Sequence, residues 1–131
     1  MKLGIMIAFA GMLVSAAAFA GQRAVQFEVV LLRDGKVISS PKVVAEFGKK
    51  VALAQGGVMR FEGSATAPDR DGNSLTSVQL YLFENGRMQP TKRMSMLANL
   101  TRSPSLAVSV PGTNARFVVK PALVSLPESK G

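Results

Sequence analysis

The chain contains no cysteine and no histidine among its 131 residues. Without cysteine it has no disulfide, no thiolate metal ligand, no thiol nucleophile and no attachment site for a lipoprotein anchor. Without histidine it lacks the commonest general base and the commonest metal ligand. No Gly-x-Ser-x-Gly motif marks a hydrolase nucleophile. These absences predict a protein that is not an enzyme and holds no cofactor, and they make a secreted hydrolase the least favoured alternative.

Acidic residues are scarce as well. Eight Asp and Glu stand against sixteen Lys and Arg, which gives a formal net charge of +8. Such a balance favours anionic partners. Phospholipid head groups, lipopolysaccharide phosphates and acidic protein faces all fit this description, and the alternative is a basic surface that is only solvated.

The first part of the chain has the organisation of a secretory signal peptide over residues 1–20. Lys2 supplies the positive charge, residues 3–14 form an unbroken apolar run, and an Ala-Phe-Ala cleavage motif stands before Gly21. We expect one exported domain over residues 21–131, periplasmic or secreted, for which nucleic acid is not an expected partner. An uncleaved membrane anchor is the alternative.

Beyond the signal peptide the chain consists of short β-prone runs separated by turn residues, with no sustained helical period. Residues 58–66 alternate between apolar and polar side chains, and Asp34-Gly35 and Asn85-Gly86 are hairpin signals. We expect an all-β fold, an antiparallel β-sandwich or a partly closed barrel of about eight short strands, with a tail from about residue 121. Five phenylalanines fall in different candidate strands and are expected to share one core: Phe27, Phe47, Phe61, Phe83 and Phe117.

Two segments are similar to each other. Residues 40–53 and residues 103–117 each begin with Ser-Pro, continue as an apolar run, turn at glycine and resume as a second apolar run. Proline suits a strand start that needs no ladder donor, and glycine suits the reversal. The similarity leaves two interpretations open, chance similarity between two β-hairpins, which is favoured because few positions match, and an internal duplication.

Residues 40–84 also resemble a known family. They contain Ser40-Pro41-Lys42-Val43, then Gly48-Lys49-Lys50-Val51-Ala52, then Ala67-Pro68-Asp69-Arg70-Asp71-Gly72 before the strand that reaches Phe83. This succession of a Ser-Pro strand, a Gly turn and a Pro-x-x-Asp-Gly turn resembles the conserved core of the bacterial secretin family. Secretins are far larger outer-membrane pores, so the resemblance implies a related β-module and not a pore.

Two groups of residues have the spacing of metal ligands. Asp69, Asp71 and Asn73 are spaced like the first ligands of a calcium loop, but the later positions of that loop do not match, which favours a polar turn. Met94 and Met96 offer thioethers of the kind that bind cuprous copper. Without histidine they make a weak site, and core or interface packing is the alternative.

The stretch over residues 87–102 combines basic and apolar residues and contains no acid. We therefore place a partner-binding or surface-binding site there, carried by Arg87, Lys92, Arg93 and Arg102. An ordinary strand with solvated basic residues is the alternative. The leading function is a non-enzymatic envelope protein that binds another protein, by adding a strand at an open sheet edge or through this stretch. A small-ligand or Cu(I) carrier is the second candidate.

Overall fold

The structure of the protein, a computed structural model, describes residues 5–7 and 23–125. Apart from residues 5–7, the predicted signal peptide and its cleavage site lie outside the described residues. Within these two ranges no helix has the length and apolarity needed to cross a membrane. The strands in chain order are β1 (Ile5–Ile7), β2 (Arg23–Arg33), β3 (Lys36–Ser39), β4 (Lys42–Ala45), β5 (Val51–Gln55), β6 (Met59–Ala65), β7 (Asn73–Glu84), β8 (Arg87–Pro90), β9 (Met94–Asn99), β10 (Leu106–Ser109) and β11 (Ala115–Ser125).

The strands form two sheets, so the predicted all-β class is confirmed as a sandwich. Sheet A is six-stranded in the order β1-β4-β2-β11-β10, with β3 also paired to β2. Sheet B is five-stranded in the order β5-β6-β7-β8, with β9 also paired to β7. All pairings are antiparallel except that of β1 with β4.

The core lies between the inner faces of the two sheets. The alternation predicted for residues 58–66 is confirmed, because Met59, Phe61, Gly63 and Ala65 are all buried on β6. Rings from the two sheets meet at the centre, where the centroids of Phe27 and Phe61 are 5.1 Å apart. Burial of these apolar faces is the main stabilising term in a chain without disulfides.

The prediction of a single phenylalanine core is correct for four of the five rings, three of which are fully buried. Phe27, Phe61 and Phe117 are fully buried, and Phe47 packs against the core from the turn after β4. Phe83 lies on the outer face of β7, because it alternates with the buried Leu82.

The two halves of the chain are related by an approximate two-fold arrangement. In each half a long strand is followed by a glycine turn and by a short strand that pairs back with it. After a short irregular segment, a further strand pairs with the same edge of the long strand. These strands are β2, β3 and β4 in sheet A and β7, β8 and β9 in sheet B. Each half then supplies a hairpin to the other sheet, because β6 pairs with β7 and β11 pairs with β2. The halves are therefore interlocked.

Matching turns support this relation. Asp34 and Gly35 have φ of 53° and 77°, and Asn85 and Gly86 have φ of 53° and 83°. Both dipeptides thus adopt the positive φ angles that a type I′ hairpin turn needs. The residues just before the turns, Arg33 and Glu84, are 51 positions apart and form an ion pair of 2.9 Å between the sheets.

The alignment of residues 40–53 with residues 103–117 is wrong. The first segment crosses from sheet A to sheet B between β4 and β5, whereas the second is the β10–β11 hairpin within sheet A. Both use Ser-Pro and glycine because strand starts and reversals favour those residues wherever they occur. In the arrangement of the sheets, β4 corresponds to β9 and β5 to β10.

The expected tail from residue 121 is also wrong, because β11 continues to Ser125. Pro121 lies opposite Phe27 of β2, and no residue of β10 lies beyond Leu106 to pair with this part of β11. Proline has no main-chain N–H to donate. It is tolerated at position 121 because, within the described residues, this part of β11 has no second neighbouring strand to which a hydrogen bond would be donated.

Candidate functional site

The basic stretch over residues 87–102 forms one edge of sheet B. β8 pairs with the turn end of β7, from Tyr81 to Glu84, and β9 pairs with its other end, from Asn73 to Val78. Within the described residues no strand pairs with the far side of β9. We call the outward side of β9 the β9 edge. The two binding modes considered from the sequence, strand addition and docking on the basic stretch, therefore concern the same surface.

The hydrogen-bond pattern shows which amides face outward along the β9 edge. The amide of Thr66 donates a hydrogen bond to the carbonyl of Leu75. The main-chain groups of the odd-numbered residues in this part of β7 therefore form hydrogen bonds with β6. The even-numbered ones then bond toward β9, where Thr76 lies opposite Met96. By the same alternation, the main-chain groups of Ser95 and Leu97 point away from the sheet.

A defined break separates β8 from β9 at residues 91–93. The amide of Thr91 donates to the carbonyl of Leu80 at 2.8 Å, and Nε2 of Gln79 donates to the carbonyl of Thr91 at 2.7 Å. Nε of Arg93 donates to Oε1 of the same glutamine at 3.3 Å. Gln79 is nearly buried, so it fixes the main chain where Lys92 and Arg93 are presented.

The four predicted basic residues lie along this edge and do not form a cluster. Arg87 follows the hairpin turn opposite Glu84, and Arg102 follows β9, which ends opposite Asn73. β7 separates these two ends by about 35 Å at a rise of ~3.3 Å per residue. Lys92 and Arg93 lie between them, and all four side chains are exposed. The structure thus presents a line of positive charge and not a pocket for one anion.

An exposed apolar pair beside the β9 edge was missed by the sequence reasoning. Leu75 and Leu97 lie directly opposite each other on the outer face of β7 and β9, and they are 51% and 67% exposed. Cross-strand neighbours of this kind are normally covered when both are large and apolar. Met94, Met96 and Ala98 occupy the inward side of β9, so the alternation of side chains along a strand places Leu97 on the outer side.

The outer face next to this pair is polar. Ser64, Ser77 and Ser95 lie in one row across β6, β7 and β9, and the last two are hydrogen-bonded at 2.9 Å. Further along β6, Glu62 accepts hydrogen bonds of 3.1 and 2.9 Å from Arg60, and these hold its pKa below the ordinary value. A strand added at β9 would therefore lie directly beside Leu97 and Ser95, with Leu75 and Ser77 one strand further into the sheet.

The two methionines considered for copper lie on one side of β9. Met94 and Met96 are two residues apart, are partly buried and pack against the hydrophobic core. In these positions their thioethers fill space between the sheets, which agrees with the packing alternative.

The residues with calcium-loop spacing form a capped turn. One oxygen of Asp69, Oδ1, accepts the amides of Asp71 at 2.9 Å and Asn73 at 3.0 Å. These hydrogen bonds, above all the one from Asn73, lower the pKa of Asp69. The carboxylate is committed to the turn, which is the polar-turn interpretation of this motif.

A cleft of about 830 Å³ lies at one end of the sandwich. It is lined by the Arg33–Glu84 ion pair, the turn at Asn85 and the turn between β10 and β11. Turn residues and an internal ion pair dominate this lining. A carrier would need an apolar pocket with converging polar groups, and the cleft does not have that composition.

The described residues thus define the class of all-β, two-sheet sandwiches, and the outward side of β9 is partly apolar and pairs with none of the described strands. Comparison with protein-family models, with curated protein sequences and with solved structures finds no match for this chain. The residues of the β9 edge are therefore the basis for the function proposed below.

Proposed function

We propose that the protein is a non-enzymatic, exported β-sandwich that binds a protein partner of the cell envelope by accepting a strand at the β9 edge. The observation that carries this proposal is the set of outward main-chain groups at Ser95 and Leu97, next to the exposed Leu75 and Leu97 side chains. An added strand gains affinity from main-chain hydrogen bonds and specificity from alternate side chains.

The edge lacks the usual protection against such pairing. Edge strands are commonly guarded by proline, by a bulge or by charges within the strand. The sequence of β9, MSMLAN, has none of these, and its charges stand outside it at Lys92, Arg93 and Arg102. This arrangement leaves the strand open and surrounds it with positive charge, so we expect the partner strand to be flanked by acidic residues.

Site-specific photocrosslinking in the native envelope tests this function. A photoreactive residue at position 97 should give an adduct with one protein, whereas the same residue at position 107, on the β10 edge of sheet A, should not. Ala107 is a matched control because it is exposed on an outer strand. The joint change Lys92→Glu and Arg93→Glu should reduce the adduct several-fold, since it reverses the flanking charge.

A proline variant tests the mode of binding. Leu97→Pro removes an outward amide without removing a bond to β7, so the fold should remain while the adduct formed from position 95 is lost. Ala107→Pro should leave that adduct unchanged. Equal adducts in both variants, or no adduct from either position of β9, would remove the proposal.

A further inference from the structure

The approximate two-fold arrangement gives the β9 edge a counterpart in sheet A. β4 occupies the same place beside β2 that β9 occupies beside β7. On sheet A this place is taken, because β1 runs parallel to β4 with Ile5 opposite Lys42 and Ile7 opposite Val44. β1 belongs to the segment that we interpret as a signal peptide.

We propose that the β4 edge is a second strand-acceptor site, which β1 occupies in the precursor and which a parallel, apolar strand of a protein partner occupies after cleavage. The inference rests on the proposed export, because only removal of residues 1–20 vacates this edge. It adds a second binding site, on the opposite sheet, to the one proposed at β9.

The main chain of β4 is suited to accept a strand. The amide of Val29 donates to the carbonyl of Pro41, and in this register Val43 and Ala45 form the remaining bonded pairs with β2. The main-chain groups of Lys42 and Val44 therefore point away from β2, toward β1. When β1 departs, these are the groups that a new strand would bond.

The side chains of β4 also indicate the chemistry of the occupant. Val43, Val44 and Ala45 are buried, and Lys42 is the one charged residue of the strand. The strand that already sits on this edge is Ile-Met-Ile. An extended, uncharged and apolar segment that runs parallel to β4 is therefore the matching partner.

An acceptor atom lies just beyond the end of β4. Oε2 of Glu46 is buried and has no hydrogen-bond partner among residues 5–7 and 23–125, while Oε1 is 3.5 Å from Nζ of Lys49. Buried carboxylate oxygens are normally paired, because leaving one unpaired is costly. A donor placed two residues after the apolar segment of the partner strand would reach this end of β4 and add specificity.

The test begins with the exported protein as isolated from the envelope. Its intact mass should correspond to a chain that starts at Gly21. A mass that still includes residues 1–20 would overturn the exchange at β4, yet it would leave the crosslinking test at β9 unaffected, so the two proposals fail separately.

The probe is a labelled synthetic peptide of residues 2–8 with a solubilising tag, titrated by fluorescence anisotropy into the cleaved protein. We expect saturable binding, weakened at least tenfold by Val44→Pro, which removes an outward donor. Ala107→Pro and Leu97→Pro should bind as the wild type does. Absence of binding by the wild-type protein, or equal binding by Val44→Pro, would overturn the proposal.

A second measurement needs no variant. In amide hydrogen exchange the peptide should slow the exchange of Val44, while the amide of Val43, already bonded to β2, should exchange slowly with or without it. A photoreactive group at the amino end of the peptide should react between Ser39 and Lys42, because the parallel register that places Ile5 opposite Lys42 puts the preceding residues there. No protection of Val44, or reaction near Ala45 instead, would contradict a parallel strand at this site.

Discussion

Replacement of Gly63 by alanine should destabilise the sandwich through one specific contact. Gly63 lies on the inner face of β6, and its φ is outside the left-handed region, so the backbone itself accepts alanine. A Cβ at this position would overlap Cζ of Phe61 and lie 3.0 and 3.2 Å from two further atoms of the same ring. The ring is fully buried beside Phe27, so it has little room to move.

The expected cost follows from two opposing terms. Overpacking a core typically costs about 1–3 kcal/mol. The smaller entropy of an unfolded alanine returns roughly 0.5–1 kcal/mol relative to glycine. The midpoints of these two ranges leave a net loss of unfolding free energy of about 1 kcal/mol, and urea denaturation at constant m-value measures it.

A double-mutant cycle isolates the contact. Phe61→Leu removes the ring atoms that the new Cβ would meet, so in that background Gly63→Ala should cost nothing or stabilise slightly. If Gly63→Ala destabilises both backgrounds equally, or neither, the assignment of Phe61 as the obstructing side chain is refuted.

Three further predictions concern the turns and the methionines. Gly86→Ala should lower the free energy of unfolding by about 1–2 kcal/mol in urea denaturation, because φ is 83° at this position. Gly56→Ala is the control, since Gly56 has no positive φ and a Cβ there would meet no other atom, and it should be neutral or slightly stabilising. Equal effects of the two substitutions would contradict the turn geometry. The pKa of Asp69 is lowered in the folded protein, so the stability that its carboxylate contributes is present above the ordinary pKa of 3.8 and is lost as pH falls through the folded pKa. An NMR titration of the amides of Asp71 and Asn73 should report this loss. The substitution Asp69→Asn should remove the pH dependence of these two amides. The protein should retain no stoichiometric Cu(I) against a competing chelator, since Met94 and Met96 pack inward; retention that disappears in Met94→Ala with Met96→Ala would restore the carrier hypothesis.

The sequence was sufficient to predict the all-β class, because local signals decide it. The alternation of residues 58–66 and the positive-φ turns at Asp34-Gly35 and Asn85-Gly86 are properties of a few neighbouring residues, and the structure has them where they were expected. Strand order is not a local property. The correspondence of β4 with β9 depends on pairings between residues far apart in the chain, and no short motif encodes it.

The candidate site was located by its composition but not by its geometry. The absence of acidic residues from residues 87–102 pointed to the strand edge at which we propose binding, yet the charges of Arg87 and Arg102 lie at its opposite ends. The exposure of Leu97 and the inward position of Met96 follow from the register of β9 against β7. A shift of one residue would exchange them, so composition alone could not distinguish an apolar edge from a methionine site.

Amide hydrogen exchange of β9, resolved by residue, tests the central claim most directly. In the free protein the amides of Ser95 and Leu97 should exchange rapidly, while those of Met94, Met96 and Ala98 should be protected by β7. In the complex captured by crosslinking, Ser95 and Leu97 should become protected as well. Slow exchange of Ser95 and Leu97 in the free protein, or no change in the complex, would contradict an open edge that accepts a partner strand.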